Sequence, residues 1–384
     1  MIINANALFI PLADKSIHTI VTSPPYYGLR NYNVDGQIGL EQTPDEYIAN
    51  LVTVFRECKR ILRDDGTLWV NIGDSFAGSG CGTNDYRTEK SRSINKSDVM
   101  FSKRPPQQKE LPGCKPKDLI GIPWMLAFAL RADGWYLRQD IIWAKPNPMP
   151  ESVKDRCTKS HEYIFLLSKS ARYYYDNEAV KEPVSDVSMK RAEYGWNCDR
   201  PSTKNGSMGG DGIHTEKMGA RFVDPAGRNK RDVWTVTTKP YKGAHYATFP
   251  PELITPCILA GAPETCCAKC GAPYERVTER VSLGKRYSTG KSKEKNESGL
   301  VTGFSGYDDG SSYPVFKTIG FEPTCTCNAG TKAGIVLDPF VGSGTTVMVA
   351  NHLGRKGIGL DLNFKYLKDN AKERIATVQP IMFN

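Results

Sequence analysis

The sequence predicts a doubly wound α/β fold built on a mainly parallel sheet, and three observations support this. Short runs rich in β-branched residues at 17–22, 67–72 and 335–338 have the pattern of buried strands. A helical pattern separates the first two runs, which gives the strand–helix–strand order of parallel sheets. A glycine-rich turn joins the third run to a helix, the usual layout of a nucleotide-binding sheet.

The first half of the chain supplies these elements in order. The strand at 17–22 ends at Ser23, Pro24 and Pro25, since proline cannot continue a hydrogen-bonded ladder. A helix is predicted to start at Thr43, which is followed by proline and acidic residues. A turn at 64–66 then leads into the strand at 67–72.

The middle of the chain alternates between patterned and polar segments. A helix is predicted from about residue 123 to 133, followed by strands at 135–143 and 161–167. A strand with its helix at 335–353 and another strand at 356–360 complete the pattern. The sheet should therefore have about seven strands, with helices on both faces.

The polar segments suggest how the chain is divided. We expect one half of a core at 1–175, interrupted by a Gly/Ser/Asn/Lys/Arg-rich insertion at 75–117. A loop-rich, basic region follows at 176–232. The other half of the core lies at 233–384 and is interrupted by a cysteine-rich insertion at 262–332.

Composition narrows the class of protein. The 384 residues carry 51 Lys and Arg against 42 Asp and Glu, a net charge of +9, which favours a polyanionic partner. The longest apolar runs are far shorter than a membrane span, so no membrane association is expected. The first residues lack the basic and apolar regions of a secretory signal, and we therefore expect a cytoplasmic protein.

The glycine turn predicts a cofactor site. Gly342 and Gly344 let the backbone pass close to a ligand, and the helix that follows offers free N–H groups. The next strand ends at Asp361, where a carboxylate can accept both hydroxyls of a ribose. These features predict an adenosine-containing ligand. A triphosphate is disfavoured, because the P-loop pattern is absent and Asp338 and Asp361 would repel it.

Residues 22–26, Thr-Ser-Pro-Pro-Tyr, predict a second ligand-binding turn. The two prolines hold the Ser23 hydroxyl, the Pro24 carbonyl and the Tyr26 ring in a fixed relation. This suits a flat ligand with an exocyclic amine, whose hydrogens bond the two oxygens while the tyrosine stacks on the ring. From spacing alone, a proline-terminated strand with a core tyrosine explains the pattern equally well.

Together the two motifs resemble a known family. Residues 22–26, followed by Asp-Pro-Phe-Val-Gly-Ser-Gly-Thr-Thr at 338–346, are similar to the motifs of S-adenosylmethionine-dependent DNA amino-methyltransferases, which modify cytosine N4 or adenine N6. The order, catalytic motif first, resembles the beta class of that family. Residues 46–74, 143–152 and 160–163 also resemble family segments. The resemblance implies a Rossmann-like class I methyltransferase fold, with double-stranded DNA as partner.

The resemblance also implies roles for particular residues. Ser23, Pro24 and Tyr26 would hold the flipped base, and Pro25 would keep the turn rigid. Asp361 would bind the ribose of S-adenosylmethionine. The other residues implied to surround this cofactor are His245, Thr248, Phe249, Asp338, Phe340, Gly342, Ser343, Gly344 and Thr345.

Serine at the first motif position is the variant commonly seen in cytosine-N4 enzymes, so we favour cytosine N4 and keep adenine N6 as the alternative. The implied activity is site-specific DNA methylation, either beside a cognate restriction endonuclease or as an orphan or phage enzyme. RNA or a protein glutamine is the less favoured acceptor, because the long basic insertions favour DNA. Region 176–232 lies where the family places its target-recognition region.

Five of the eleven cysteines are clustered, while the others are scattered in a way that does not suggest disulfides. Cys267 and Cys270 have knuckle spacing, and Cys325 and Cys327 follow later. Four thiolates fit a tetrahedral structural zinc ion. Cys266 is an alternative to Cys267 as a ligand, and a set of reduced thiols in a flexible insertion is the alternative to a metal site.

Overall fold

The computed structural model describes residues 1–29, 32, 34–78, 111–185, 187, 227–239, 249–288 and 307–376. The chain divides into two compact units. The first comprises Met1–Ala179, Arg231–Tyr274 and Pro323–Asn384, and the second comprises Val180–Lys230 and Glu275–Glu322. In the described part of the chain, no helix combines the length and apolarity needed to cross a membrane. The functional division made from the sequence stays a prediction.

The described strands are, in chain order, β1 (Ile2–Asn4), β2 (Ile17–Thr22), β3 (Leu62–Ile72), β4 (Tyr136–Ala144), β5 (His161–Ser168), β6 (Val233–Thr235), β7 (Cys266–Cys267), β8 (Tyr274–Ser288), β9 (Tyr307–Pro323), β10 (Thr331–Lys332), β11 (Ile335–Asp338) and β12 (Lys356–Asp361). The helices are α1 (Pro44–Ile61), α2 (Ile122–Ala132), α3 (Pro251–Gly261) and α4 (Thr345–His352). Short helical turns lie at Glu178–Val180, Phe364–Tyr366, Leu367–Ala371 and Lys372–Ala376.

The main sheet belongs to the first unit. Within the described residues it has eight strands in the order β1-β12-β11-β2-β3-β5-β4-β6. Five of the seven neighbouring pairs are parallel. The exceptions are the pairs of β5, which runs antiparallel to both β3 and β4. The sheet is therefore mainly parallel, as predicted.

Helices cover both faces of this sheet. Alternate residues of a strand point to opposite faces, and β3 shows what each face meets. Leu68 and Val70 lie in a core shared with α1 and α2. Thr67 faces the other way, toward α3, where a Cβ on Gly261 would come within 2.5 Å of its hydroxyl. The predicted doubly wound α/β fold is confirmed.

Helix α1 begins where the sequence predicts. The Thr43 hydroxyl accepts a hydrogen bond from the Glu46 amide, and the Glu46 carboxylate accepts one from the Thr43 amide. This capping box satisfies backbone donors that would otherwise lack partners. The buried face of the helix carries Tyr47, Leu51, Val54, Phe55 and Cys58.

Two expectations about local structure are wrong. The predicted turn at 64–66 is a bulge inside β3, because Ile17 pairs with Leu62 but Thr19 pairs with Thr67. Three extra residues of β3 therefore loop out between these pairs. The cysteine-rich insertion also contains four strands, β7 to β10, for which the sequence analysis predicted none.

The chain direction of the strands decides what meets at the carboxyl edge of the sheet. Parallel strands end at one edge, which brings together the residues that follow β2, β3, β4, β11 and β12. Strand β5 is antiparallel, so its first residues, His161 and Glu162, lie at this edge too. The ends of insertion 75–117 are joined by bonds between Ala77 and residues 117–118. Residues 79–110 lie outside the described part.

Candidate functional site

A cleft at the carboxyl edge of the sheet brings both predicted motifs together. It has about 1160 Å³ of empty space, including its open mouth. The turn after β2 contributes Ser23, Pro24, Pro25 and Tyr26 to its wall. The residues of the predicted cofactor set that line it are Phe249, Asp338, Phe340, Gly342, Ser343, Thr345 and Asp361. His245 and Thr248 lie outside the described residues.

The turn after β2 is held in place by a residue that the sequence analysis did not single out. The Tyr47 hydroxyl on α1 donates a hydrogen bond to the Pro25 carbonyl at 2.7 Å. Burial raises the pKa of Tyr47 far above its usual value, so its hydroxyl stays a donor. The turn is thus fixed from outside as well as by its own prolines.

A loop after this turn forms another wall of the cleft. Leu29, Tyr32, Val34 and Ile38 line it, and none of them was predicted. The loop closes back on the turn, because the Gly28 amide donates to the carbonyl of residue 39 at 2.9 Å. Apolar side chains among closely spaced glycines were the signal in the sequence that would have identified this wall.

The two glycines of the cofactor motif have different tasks. Gly342 lines the cleft with a φ of +46°, a left-handed conformation that favours glycine. Gly344 caps α4 with a φ of +83°. A Cβ on Gly344 would come within 3.3 Å of Ala371, so this glycine also lets the helical turns at the end of the described chain pack closely.

Asp361 holds the glycine turn. One carboxylate oxygen accepts the Gly342 amide at 2.9 Å, and the other accepts the Asn363 amide at 2.8 Å. Burial raises the pKa of Asp361 above its usual value. Each carboxylate oxygen keeps one lone pair, which leaves capacity for the two hydroxyls of a ribose.

Asp338 is almost completely buried between the two motifs. One oxygen accepts the Thr22 hydroxyl at 2.6 Å and the Phe340 amide at 3.0 Å. The other accepts the Thr346 hydroxyl at 2.7 Å. Burial raises the pKa of Asp338 to about 6, and the hydrogen bonds from the two threonines oppose the rise. Its carboxylate therefore mainly joins β2, β11 and α4.

Arg374, in the last of the C-terminal helical turns, binds the hydroxyls of Ser343 and Thr345. One nitrogen of Arg374 donates to both oxygens, each at 2.9 Å. Arg374 is not among the site residues that the sequence predicts. Its contact fixes the start of α4.

The four predicted zinc ligands lie together. The sulfur atoms of Cys267, Cys270, Cys325 and Cys327 are all within 4.8 Å of one another. A zinc–sulfur distance of about 2.3 Å places tetrahedral ligands roughly 3.8 Å apart, so this set fits zinc with a small contraction. Gly271, with a φ of +70°, lets its amide close the knuckle onto the Cys267 carbonyl at 2.9 Å.

Cys266 is directed elsewhere. Its sulfur donates to the Lys332 carbonyl at 3.1 Å, and burial raises the pKa of this thiol to about 11. Backbone N–H groups at Cys270 and Lys269 instead lower the pKa of Cys267 to about 6, which favours the thiolate that binds metals. Cys267 is therefore the better ligand of the two.

The cysteine cluster is joined to the opposite edge of the sheet from the cleft. His18, near the start of β2, accepts the Ile335 amide on Nδ1 at 3.0 Å, so its Nε2 carries the proton and donates to the Gly271 carbonyl at 2.9 Å. Burial lowers the pKa of His18 to about 4 and keeps the ring neutral. Arg63 donates to the Cys270 carbonyl at 2.7 Å.

Comparison with known proteins agrees with this arrangement. A DNA methylase family model, that of the N6 and N4 methyltransferases, matches residues 17–265 and 327–373, well over half of the chain. The chain belongs to this family of S-adenosylmethionine-dependent DNA amino-methyltransferases, which confirms the resemblance found in its motifs.

Three relatives show the extent of the similarity, and each is named as a Type II methyltransferase. M.Cfr9I of Citrobacter freundii is 49% identical over 249 residues, 65% of this chain and 67% of the relative. M.SmaI of Serratia marcescens is 38% identical over 364 residues, 95% of this chain and 86% of the relative. M.XycI of Xanthomonas campestris pv. cyanopsidis is 46% identical over 251 residues, 65% of this chain and 67% of the relative.

Proposed function

We propose that this protein is a site-specific methyltransferase that moves the methyl group of S-adenosylmethionine to the exocyclic amine of a base flipped out of double-stranded DNA. The observation that carries the proposal is the cleft. The turn after β2 and the glycine turn with Asp361 both line it. A base at the first turn and a cofactor at the second would have their reacting atoms in one space.

The residues fit the cofactor. Asp361 has lone pairs for the ribose hydroxyls, while Phe249 and Phe340 offer apolar surface for the adenine ring. When bound, S-adenosylmethionine supplies a methyl group on a positively charged sulfur. The buried Asp338 carboxylate adds negative potential on that side of the cleft when it is ionised.

Ser23 and Pro24 would act on the base. The Ser23 hydroxyl and the Pro24 carbonyl accept the two amine hydrogens, which draws the nitrogen lone pair out of conjugation and toward the methyl group. The Tyr26 ring stacks on the base and the walls exclude water. The methylated nitrogen is cationic and loses a proton through the Ser23 oxygen, the carbonyl or water.

The favoured target is cytosine N4, with adenine N6 as the alternative. Ser23 at the first motif position supports cytosine through the resemblance to N4 enzymes. The chemistry of the turn does not decide the question, because both bases present an amine to the same two acceptors.

The partners follow from the same reasoning. The similarity to Type II methyltransferases supports a role beside a cognate restriction endonuclease, and an orphan or phage enzyme is the alternative. A cytoplasmic location is part of the same proposal. Region 176–232 is proposed to recognise the target sequence, since a basic, loop-rich segment suits contacts to phosphates and base edges. Most of this region lies outside the described residues.

The test is to express the protein in a methylation-free host and to sequence the host DNA by a method that separates N4-methylcytosine from N6-methyladenine. We expect one modified sequence motif, with far less modification when Ser23→Ala replaces the wild type. Adenine methylation would replace the cytosine assignment. An unmodified genome, with purified protein that binds S-adenosylmethionine, would transfer the proposal to an RNA or protein acceptor.

We also propose that Cys267, Cys270, Cys325 and Cys327 hold one structural zinc ion. Strand β8 starts soon after Cys270 and β9 ends shortly before Cys325, so the metal would close the base of the insertion. The site lies at the edge of the sheet opposite the cleft, where zinc would stabilise the fold and take no part in methyl transfer.

A further inference from the structure

The two ends of Tyr26 have different surroundings. Its half-buried ring lines the cleft, whereas its hydroxyl is buried and donates to the Glu162 carboxylate at 2.7 Å. Burial and the neighbouring charge of Glu162 raise the pKa of Tyr26 well above its usual value, so the hydroxyl remains protonated. The single hydroxyl proton is thus committed to Glu162, and the face of the ring is what Tyr26 offers to a ligand.

Glu162 is itself held by two further side chains. The Asn71 amide donates to the oxygen that accepts Tyr26, at 3.3 Å. The Lys145 ammonium binds the other oxygen. Glu162 and Lys145 are only 15% and 17% exposed. A buried carboxylate without partners is strongly unfavourable, so this full set of partners is what allows a charge to lie under the cleft wall.

The contact depends on a missing side chain. A Cβ on Gly73 would come within 2.8 Å of the Tyr26 ring and 3.4 Å of the Glu162 carboxyl carbon. Any larger residue at the end of β3 would therefore push the ring out of place. The elements that meet here are the turn after β2, strand β3, the end of β4 and the start of β5.

We propose that Glu162 is a positioning residue for methyl transfer, which fixes the plane of the Tyr26 ring against which the flipped base stacks. Lys145 balances its charge and Gly73 gives the clearance. The inference rests on the proposed function and deepens it, since it identifies the side chain that holds the Tyr26 ring in place against the base. Glu162 acts on the base only through Tyr26.

The test is a double-mutant cycle with Glu162→Ala, Tyr26→Phe and the double variant, carried out on DNA containing the methylated motif found in the host. Phenylalanine keeps the ring and removes the hydroxyl that Glu162 holds and that also hydrogen-bonds Ser23, so the effect of Glu162→Ala is read within each background. We expect Glu162→Ala to lower kcat about tenfold or more, with S-adenosylmethionine affinity within about twofold of wild type. In the Tyr26→Phe background, the same substitution should lower kcat less than threefold.

A fluorescent base analogue at the target position supplies a second readout. Glu162→Ala should reduce the fluorescence change that accompanies base flipping, which general destabilisation of a folded enzyme would not do. The matched control is Glu57→Ala, which removes a glutamate paired with Arg60 on α1, away from the cleft lining. It should leave both signals unchanged.

Equal losses of kcat in the wild-type and Tyr26→Phe backgrounds would overturn the inference, as would wild-type activity of Glu162→Ala. If Glu162→Ala does not fold, Gly73→Ala tests the same contact with every charge retained, and it should lower kcat and base flipping without loss of cofactor affinity. A Gly73→Ala enzyme with wild-type kcat would then overturn it. A wild-type protein that methylates no DNA rejects the proposed function instead.

Discussion

The Thr22 hydroxyl donates a hydrogen bond to the Asp338 carboxylate across 2.6 Å. Thr22 is the last residue of β2 and Asp338 is the last residue of β11, so this bond joins the strands that lead to the two motifs. The Thr346 hydroxyl, on α4, completes the connection from the other oxygen. One buried carboxylate therefore sets the spacing between the base-binding turn and the glycine turn.

Asp338→Asn should change how stability depends on pH. The folded pKa of about 6 lies above the ordinary 3.8, so the folded state binds the proton more tightly than the unfolded state. The resulting stabilisation is present below about pH 4 and is lost as pH rises through 6. Wild type should lose roughly 2 kcal/mol relative to Asp338→Asn between pH 4.5 and 7.5, measured by urea unfolding.

The neutral amide is a suitable replacement because its oxygen can accept the Thr22 and Phe340 donors, while Thr346 can turn its hydroxyl to the Val21 carbonyl, 3.3 Å away. Asp338→Ala is the contrasting variant. It leaves buried donors without partners and should cost about 2 to 4 kcal/mol at pH 7.5. A difference between wild type and Asp338→Asn that stays constant with pH would contradict the account of this carboxylate.

Ser23→Ala and Asp361→Ala should separate catalysis from cofactor binding. Ser23 is proposed to accept an amine hydrogen, so its loss should lower kcat about a hundredfold and leave the Kd for S-adenosylmethionine within about twofold. Asp361→Ala removes the acceptor for the Gly342 amide as well as the ribose partner, and should raise that Kd about tenfold or more.

Calorimetric titration with S-adenosylmethionine and steady-state methylation kinetics measure the two quantities. Asp361→Asn is the intermediate case, because one of its two oxygen positions still accepts. Its Kd should lie between those of wild type and the alanine variant. A wild-type Kd for Asp361→Ala would contradict the assignment of the cofactor end of the cleft. A loss of cofactor binding in Ser23→Ala would contradict the assignment of the base end.

The sequence predicted those walls of the cleft whose chemistry lies in consecutive residues of the chain. Residues 22–26 and the glycine motif are continuous segments whose chemistry is visible without the fold, and both line the cleft. Proline and glycine determine where the main chain turns in these segments, because each acts on its own backbone dihedral angles.

The contacts by which other residues support the site were not predicted, because they depend on tertiary structure; for Glu162 the sequence offered only the resemblance of residues 160–163 to a family segment. Glu162 lies 136 positions from Tyr26, and it reaches the cleft because β5 runs antiparallel to β3. In the sequence, Tyr47 resembles an ordinary core residue of α1. Nothing in the residues around it indicates the hydrogen bond of its hydroxyl to the Pro25 carbonyl. Arg374 reaches Ser343 from the C-terminal helical turns.

The strands of the cysteine-rich insertion were missed for a different reason. β8 begins Tyr-Glu-Arg-Val-Thr-Glu-Arg-Val, where charged residues outnumber apolar ones and a Lys- and Gly-rich segment follows. Composition therefore favoured a loop over a strand pair. The four cysteines were predictable as a set, because metal ligands are identified by residue type and spacing.

The cysteine cluster should bind about one zinc ion per chain. Cys270→Ser removes one ligand and should abolish zinc binding and lower the unfolding temperature, because metal affinity adds to folding stability. Cys157→Ser, at an exposed cysteine outside the cluster, is the control and should keep the metal. Elemental analysis and thermal unfolding measure these effects. Metal-free wild-type protein with the same unfolding temperature as Cys270→Ser would rule out a structural zinc site.

Gly359→Ala should damage the cofactor side of the cleft through packing. Its Cβ would lie 2.4 Å from the Val341 side chain, in the turn held by Asp361, and 2.9 Å from Val347 on α4. Relief requires a shift of the glycine turn or of the helix, so we expect a loss of about 1 to 3 kcal/mol in stability. The glycine turn lines the part of the cleft proposed to bind the cofactor, so its displacement should also raise the Kd for S-adenosylmethionine.

Gly320→Ala is the matched control, since nothing lies within 4 Å of its Cβ position and its backbone is not left-handed. It should unfold within about 0.5 kcal/mol of wild type and bind S-adenosylmethionine with unchanged affinity. Urea unfolding and calorimetric titration of both variants give the comparison. If Gly359→Ala loses stability but keeps its cofactor affinity, the strain is relieved through α4 and the glycine turn stays where the Asp361 contact holds it.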